Sequence, residues 1–170
     1  MTLTIRKEHP GDHQAIHDVT AAAFADAPHT DHNEQNIVAA LRAAGALSVS
    51  LVAEDAGTLV GHVALSPVSI SDGAQHWYGL GPVSVVPDYQ GKGIGTALMD
   101  AAIQALHNLN ASGCVLLGEP DFYQRFGFIP CADLVLAGVP PEYFMCLHLR
   151  NAMPAGEVTY HAAFAVGSGE

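Results

Sequence analysis

Positive charge is scarce in this sequence: 6 Lys and Arg stand against 17 Asp and Glu, a formal net charge of −11. Such a field repels nucleic acid and anionic membranes and favours a cationic partner or substrate, besides keeping the chain soluble. Long apolar runs are missing too. No stretch approaches the roughly 18 residues a membrane span needs, and the N-terminus lacks a signal-peptide pattern. Cysteine is sparse: Cys114, Cys131 and Cys146 lie on apolar stretches without metal spacing and read as buried thiols in a reducing cytoplasm. Ten histidines invite a metal site, with His13 and His17 four apart and His29 close to His32. Neither His-Glu-x-x-His nor a Cys/His ligand set accompanies them, so no metal is expected. Repeats, linkers and low-complexity segments are absent. What is present is a chain of 170 residues, 49% hydrophobic and 14% charged, long enough for one α/β domain with a substantial core.

Apolar periodicity gives the order β-α-α-β-β-β-α-β-α-β. A strand at 3–6 and a turn at 9–12 precede a helix to about residue 24, with Asp12 as candidate cap and Ile16, Val19, Thr20, Ala23 and Phe24 inward. A loop over 26–31, containing Pro28, leads to a helix over 32–44 stopped by Gly45, with Ile37, Val38 and Leu41 inward. Strands follow at 48–54, 58–71 and 76–86; the first two are joined by the hairpin turn Asp55-Ala56-Gly57, and the second bends near Pro67. Gly81-Pro82 inside the third cannot complete a regular ladder and predicts a bulge or splay. A helix over about 91–111 carries Ile94, Leu98, Met99, Ala102, Ile103, Leu106 and Leu109 on its buried face. Then come an apolar strand at 114–117, a short helix at 119–126, an extended piece at 128–132 and a strand at 143–149. Val158, Tyr160 and Phe164 alternate in the tail as an added strand would.

The chemistry concentrates in Val83-Ser84-Val85-Val86-Pro87-Asp88-Tyr89-Gln90-Gly91-Lys92-Gly93-Ile94-Gly95-Thr96. This is a β-branched strand, a proline stop and a helix whose first turn is stripped of side-chain bulk by three glycines. Free N–H groups at the positive end of that helix suit a phosphate. A Walker loop would need Gly where Val86 stands, and the dinucleotide fingerprint G-x-G-x-x-G is not met by G-x-G-x-G. Gln90-x-x-Gly93-x-Gly95 after a Val-x-Pro strand end instead resembles the acetyl-CoA loop of the GCN5-related N-acetyltransferases.

The resemblance covers residues 3–149 and sharpens at Gly61-His62-Val63-Ala64-Leu65-Ser66-Pro67-Val68, at Leu80-Gly81-Pro82-Val83-Ser84-Val85-Val86-Pro87, and at Gly118-Glu119-Pro120-Asp121-Phe122-Tyr123-Gln124-Arg125-Phe126-Gly127-Phe128. These blocks look like the YhbS-like group of that family. The resemblance implies one acetyltransferase domain over 1–170, with a core at about 3–149 and a tail at 150–170. Its fold would be α/β: a mixed central sheet of about six to seven strands, flanked by helices and splayed between the fourth and fifth.

It also implies roles. The co-substrate would be acetyl-CoA, its pantetheine along Val83 and Val85. Its pyrophosphate would lie on the amides of Gln90, Gly91, Lys92, Gly93, Gly95 and Thr96, with Lys92 adding charge or simply facing solvent. The Val85 N–H would stabilise an oxyanion. Tyr123, in Tyr-x-x-x-Gly-Phe, would protonate the departing thiolate; Phe122 stands where relatives often carry a second hydroxyl. Candidate bases are Glu34, ranked first, then His62, His76 and Asp121, or a water relay. The acceptor would be a small amine or a peptide amine, including a protein lysine or N-terminus, and Asp26, Asp31 and Glu34 would suit a cationic one. The loops 26–33 and 134–142 carry no transferable acceptor code. No nucleic acid, membrane or metal is expected, and a homodimer stays open. The rival is a non-catalytic acyl-CoA-binding or regulatory domain on the same fold, against which Tyr123 speaks, since a pure binder needs no acid at sulfur.

Overall fold

The computed structural model describes residues 1–27 and 32–165. Pro28, His29 and Asp31 of the first acceptor loop therefore lie outside the described residues. Chain order runs β1 (Leu3–Lys7), α1 (His13–Phe24), α2 (Glu34–Ala43), β2 (Val49–Asp55), β3 (Thr58–Ile70), β4 (Trp77–Val85), α3 (Ile94–Asn108), β5 (Gly113–Leu117), α4 (Pro120–Tyr123), β6 (Ile129–Pro130), β7 (Leu134–Val135), β8 (Phe144–His148) and β9 (Gly156–Tyr160). The sheet order is β1-β2-β3-β4-β5-β8-β6, with β9 paired to β3 and β7. The nine strands exceed the expected six to seven because two short pieces and the tail also pair. Among the described residues only β4–β5 and β7–β9 are parallel. Among the described residues no helix is long and apolar enough to cross a membrane.

The hairpin at Asp55-Ala56-Gly57 forms as expected, with Ala56 at φ 49° and Gly57 at φ 89°, both left-handed as a tight β2–β3 turn requires. The bend at Pro67 is a change of partner. Up to Pro67, β3 pairs with β4; from Val68 to Ile70 it pairs with β9. Gly81-Pro82 produces the bulge: Val63 faces Val83 but Leu65 faces Leu80, so β4 carries extra chain there.

The main core lies between the sheet and α3, where Leu51, Val63 and Leu65 meet Leu98, Met99, Ala102 and Leu106, all buried. Burying one such side chain is worth about 1.5–3 kcal/mol. Gly61 lets α3 settle closely, since a Cβ there would lie 3.0 Å from Leu98 and 3.2 Å from Ile94. Helix α3 starts at Ile94 rather than 91, so Gly91 and Gly93 belong to the loop, and it stops at Asn108, which leaves Leu109 exposed. On the opposite face α1 and α2 bury Ile16, Val38 and Val52 together. Asp12 stands at the N-cap position of α1 without capping it by its side chain. Its carboxylate is taken by Arg6, at 2.8 Å, and by the His9 N–H.

Candidate active site

Strands β4 and β5 pair only over Trp77–Gly79 against Gly113–Val115. Beyond that β4 runs on to Val85 while β5 turns to β8, which takes its other edge along Gly113–Leu117. The Trp77 ring covers Gly113, where a Cβ would stand 2.6 Å from Cζ2, so glycine is required at the closed end of the wedge. Val86 donates its N–H to Val60 on β3. Amides alternate along a strand, so the N–H of Val85 and of Val83 turn the other way, to the edge β5 has vacated.

The wedge opens into a cleft of about 630 Å³ lined by Val83, Val85, Tyr89, Gln90, Gly91, Gly93, Gly95, Thr96, Phe122 and Arg125. Its floor is the glycine loop. Gln90 Nε2 donates to the Val85 carbonyl at 2.9 Å and ties the loop to the strand end. The Tyr89 hydroxyl donates to Asp55 at 2.9 Å and anchors it to the β2–β3 hairpin. Gly91 and Gly93 are left-handed, at φ 78° and 86°, which disfavours any side chain. The first intrahelical bond, from the Ala97 N–H to the Gly93 carbonyl, leaves the preceding first-turn amides for an anion.

Seven of the eight residues expected to hold the cofactor therefore come together: Val83, Val85, Gln90, Gly91, Gly93, Gly95 and Thr96 line one cleft. Lys92 is exposed and is not part of the lining. The cation there is Arg125, to which sequence reasoning gave no role although it sits inside the Tyr123–Phe128 block. Its guanidinium lies 4.7 Å over the Phe122 ring and reaches Thr96 Oγ1 at 3.4 Å, which aims the charge at the start of α3.

Tyr123 stands behind Phe122, with ring centres 4.9 Å apart and edge to face. Phe128 packs on it in the same manner at 6.4 Å, and Gly118 makes room for its ring. Burial pushes the Tyr123 phenol above the ordinary tyrosine range, so it stays protonated at neutral pH. The four candidate bases do not gather at the cleft. Glu34 opens α2, Asp121 is exposed on α4, and His76 is exposed just before β4. His62 alone is fully buried, on β3 opposite Ser84 of β4.

Residues 46–130, which include the cleft and Tyr123, match the family model described as acetyltransferase (GNAT) domain. YhbS of Escherichia coli K12, described as an uncharacterized N-acetyltransferase, is 34% identical over 74% of this chain and 73% of that protein. The structure of Escherichia coli YhbS in complex with CoA superposes at a TM-score of 0.88 and 30% identity, covering 99% of this chain and 94% of the other. A GNAT family acetyltransferase from Brucella melitensis, in complex with acetyl-CoA, superposes at 0.85 with 48% identity, over 95% of this chain and 97% of its own.

Proposed function

The chain belongs to the GNAT acetyltransferase family, and from that premise we propose that it moves the acetyl group of acetyl-CoA to a primary amine by direct attack on the thioester. The observation that carries this reading is the wedge between β4 and β5 running into the free first turn of α3. A pantetheine arm laid along the open edge of β4 meets the outward amides of Val83 and Val85. The pyrophosphate then falls on the glycine loop, where helix dipole and Arg125 both favour negative charge.

In the reaction an amine attacks the thioester carbonyl, and the oxyanion that forms is met by a β4 amide, Val85 N–H being the candidate. Collapse expels the thiolate, and Tyr123 gives it a proton. Its elevated pKa suits an acid that must be loaded before the step. The acid itself is lost only as pH rises past that elevated pKa. Asp26, just past α1, and Glu34, which opens α2, would suit a cationic amine as substrate.

The test is acetyl-CoA binding by calorimetry, followed by thiol release against amines, peptides and aminoglycosides. Tyr123→Phe is expected to lower kcat by about 10²–10⁴ with acetyl-CoA affinity unchanged. No binding by the wild type refutes the assignment, and binding without turnover on any acceptor returns the regulatory reading. Unchanged turnover in Tyr123→Phe removes the tyrosine from the mechanism.

A further inference from the structure

Four buried side-chain atoms without a hydrogen-bond partner share the α1 face of the sheet: His62 Nδ1, Ser66 Oγ, Ser84 Oγ and the Tyr160 hydroxyl. The register sets them in a row along β3. His62 lies opposite Ser84, Ser66 opposite Gly79, and Tyr160 opposite Val68. Leaving one buried polar group unpaired costs about 1–3 kcal/mol, so four along one face, with the His62–Ser84 pair beside the open edge of β4, mark a face that handles polar atoms.

His62 is the member whose chemistry is fixed. Its Nε2 lies 2.8 Å from Ser50 Oγ, and Ser50 gives its only proton to Glu8 Oε1 at 2.5 Å. Arg42 grips the Glu8 carboxylate with bonds of 3.0 and 2.8 Å, and His13 of α1 stands 3.4 Å from it. Burial pushes Glu8 up, but the bonds from Arg42 and Ser50 outweigh it and hold the group ionised, hence purely an acceptor. The Ser50 oxygen must then accept from His62, which sets the Nε2–H tautomer and leaves Nδ1 as a bare lone pair. Glu8, Arg42 and His13 are the charged or titratable groups around this chain, and β4 presents Ser84 to it.

We propose that His62 takes up the proton released by the attacking amine, acting through Ser84, and this rests on the acetyl-transfer reading above. Ser84 stands on the open edge of β4 between Val83 and Val85, whose side chains line the cleft, and turns its own side chain to the opposite, α1 face of that edge. Attack by a neutral amine leaves a positive nitrogen on the tetrahedral intermediate. Its proton passes to Ser84 Oγ as Ser84 hands its own to His62 Nδ1, with a turn of the Ser84 side chain or one water spanning the two. The imidazolium that forms is backed by the Glu8 carboxylate through Ser50, a histidine oriented by an anion. The C–S bond then breaks and sulfur takes the Tyr123 proton. One proton has left nitrogen and one has reached sulfur; solvent returns His62 to its neutral form and Tyr123 to its phenol.

The test begins with nitrogen NMR of protein carrying ¹⁵N-histidine, at neutral pH and with CoA as the probe. The His62 signals, assigned by their loss in His62→Gln, should report a protonated Nε2 and a bare Nδ1, and Ser84→Ala should shift the latter. An Nδ1–H tautomer overturns the proposal. Next, with an amine found by the acceptor screen, His62→Gln should lower kcat about 10- to 100-fold at unchanged acetyl-CoA affinity, and Ser50→Ala, which leaves the ring in place, should lower it too. The deficit should shrink across amines of falling pKa, because less proton removal is then needed. An equal loss with every amine is a packing effect and overturns the proposal. So does a loss found in Glu34→Gln instead, with the same dependence on amine pKa. Wild-type turnover with an unaffected His62→Gln sinks this proposal alone, whereas absent acetyl-CoA binding sinks the transfer reading beneath it.

Discussion

Gly118 offers a way to move Tyr123 without touching its hydroxyl. The glycine follows β5 and donates its N–H to the Tyr143 carbonyl, and its backbone is not left-handed, so alanine is conformationally acceptable. Its Cβ is not: it would lie 2.7 Å from Cδ2 of Tyr123 and closer still to Cε2. Ordinary contact begins near 3.4 Å, so the ring must retreat by about 1 Å. Phe122 and Phe128 wall it in on the other sides. Overpacking of this kind costs about 1–3 kcal/mol, and a displacement of about 1 Å in an acid is worth roughly 100-fold in rate. Gly118→Ala should therefore unfold at lower urea by that margin and lose about two orders of magnitude in kcat, with acetyl-CoA affinity held, because the glycine loop lies elsewhere. The double variant Gly118→Ala/Tyr123→Phe should turn over no more slowly than Tyr123→Phe alone, since both act on one hydroxyl. A double variant slower by the full product of the two losses would refute this reasoning, as would a fully active Gly118→Ala.

Arg125→Ala removes the cation aimed at α3 and should weaken CoA binding in calorimetry by about 10- to 100-fold, equivalent to a charged hydrogen bond of about 1.5–3 kcal/mol. The loss should narrow as salt rises, and unaltered affinity at low salt would remove Arg125 from the anion site. His62 also predicts an acid-labile component of stability. Burial lowers its pKa from 6.5 to about 4, so between those values the unfolded chain holds a proton that the folded one does not. Stability must then fall as pH drops from 6.5 toward 4, by up to about 3 kcal/mol. Urea unfolding of His62→Gln should lack that component, and parallel pH curves for the two proteins would contradict it.

The parts of the site that were legible are those whose role is written into their own backbone. Gly91 and Gly93 sit at φ 78° and 86°, conformations that glycine announces by itself. Gly81-Pro82 likewise declares that β4 cannot keep its register, and the register does shift between Val63 and Leu65. The start of α3 was three residues off because a glycine-rich first turn has almost the composition of the loop it replaces. Asp12 looks like a cap from its spacing, yet Arg6 and the His9 N–H claim its carboxylate. Arg125 gave no local sign, because its value comes from Thr96, 29 positions away.

Histidine 62 marks that boundary most sharply. In sequence it is a lone histidine on a strand, flanked by glycine and valine, and nothing in the motif separates a base from a satisfied core residue. Its tautomer is decided by Ser50 on β2, whose proton is committed by Glu8 just past β1, whose charge is held by Arg42 on α2. Each link joins a different element, and the two between strands, His62 to Ser50 and Ser50 to Glu8, depend on antiparallel register. A slip of one residue would turn the side chain to the α3 face, where Val63 and Leu65 pack. The proton-handling chemistry of this fold is therefore a property of the pairing of β1, β2, β3 and β4. A change that keeps His62, Ser50, Glu8 and Ser84 but alters that pairing, such as a residue inserted at the Asp55-Ala56-Gly57 turn, should abolish it, and through the Tyr89–Asp55 bond it should loosen the glycine loop as well, read as weakened CoA binding in calorimetry.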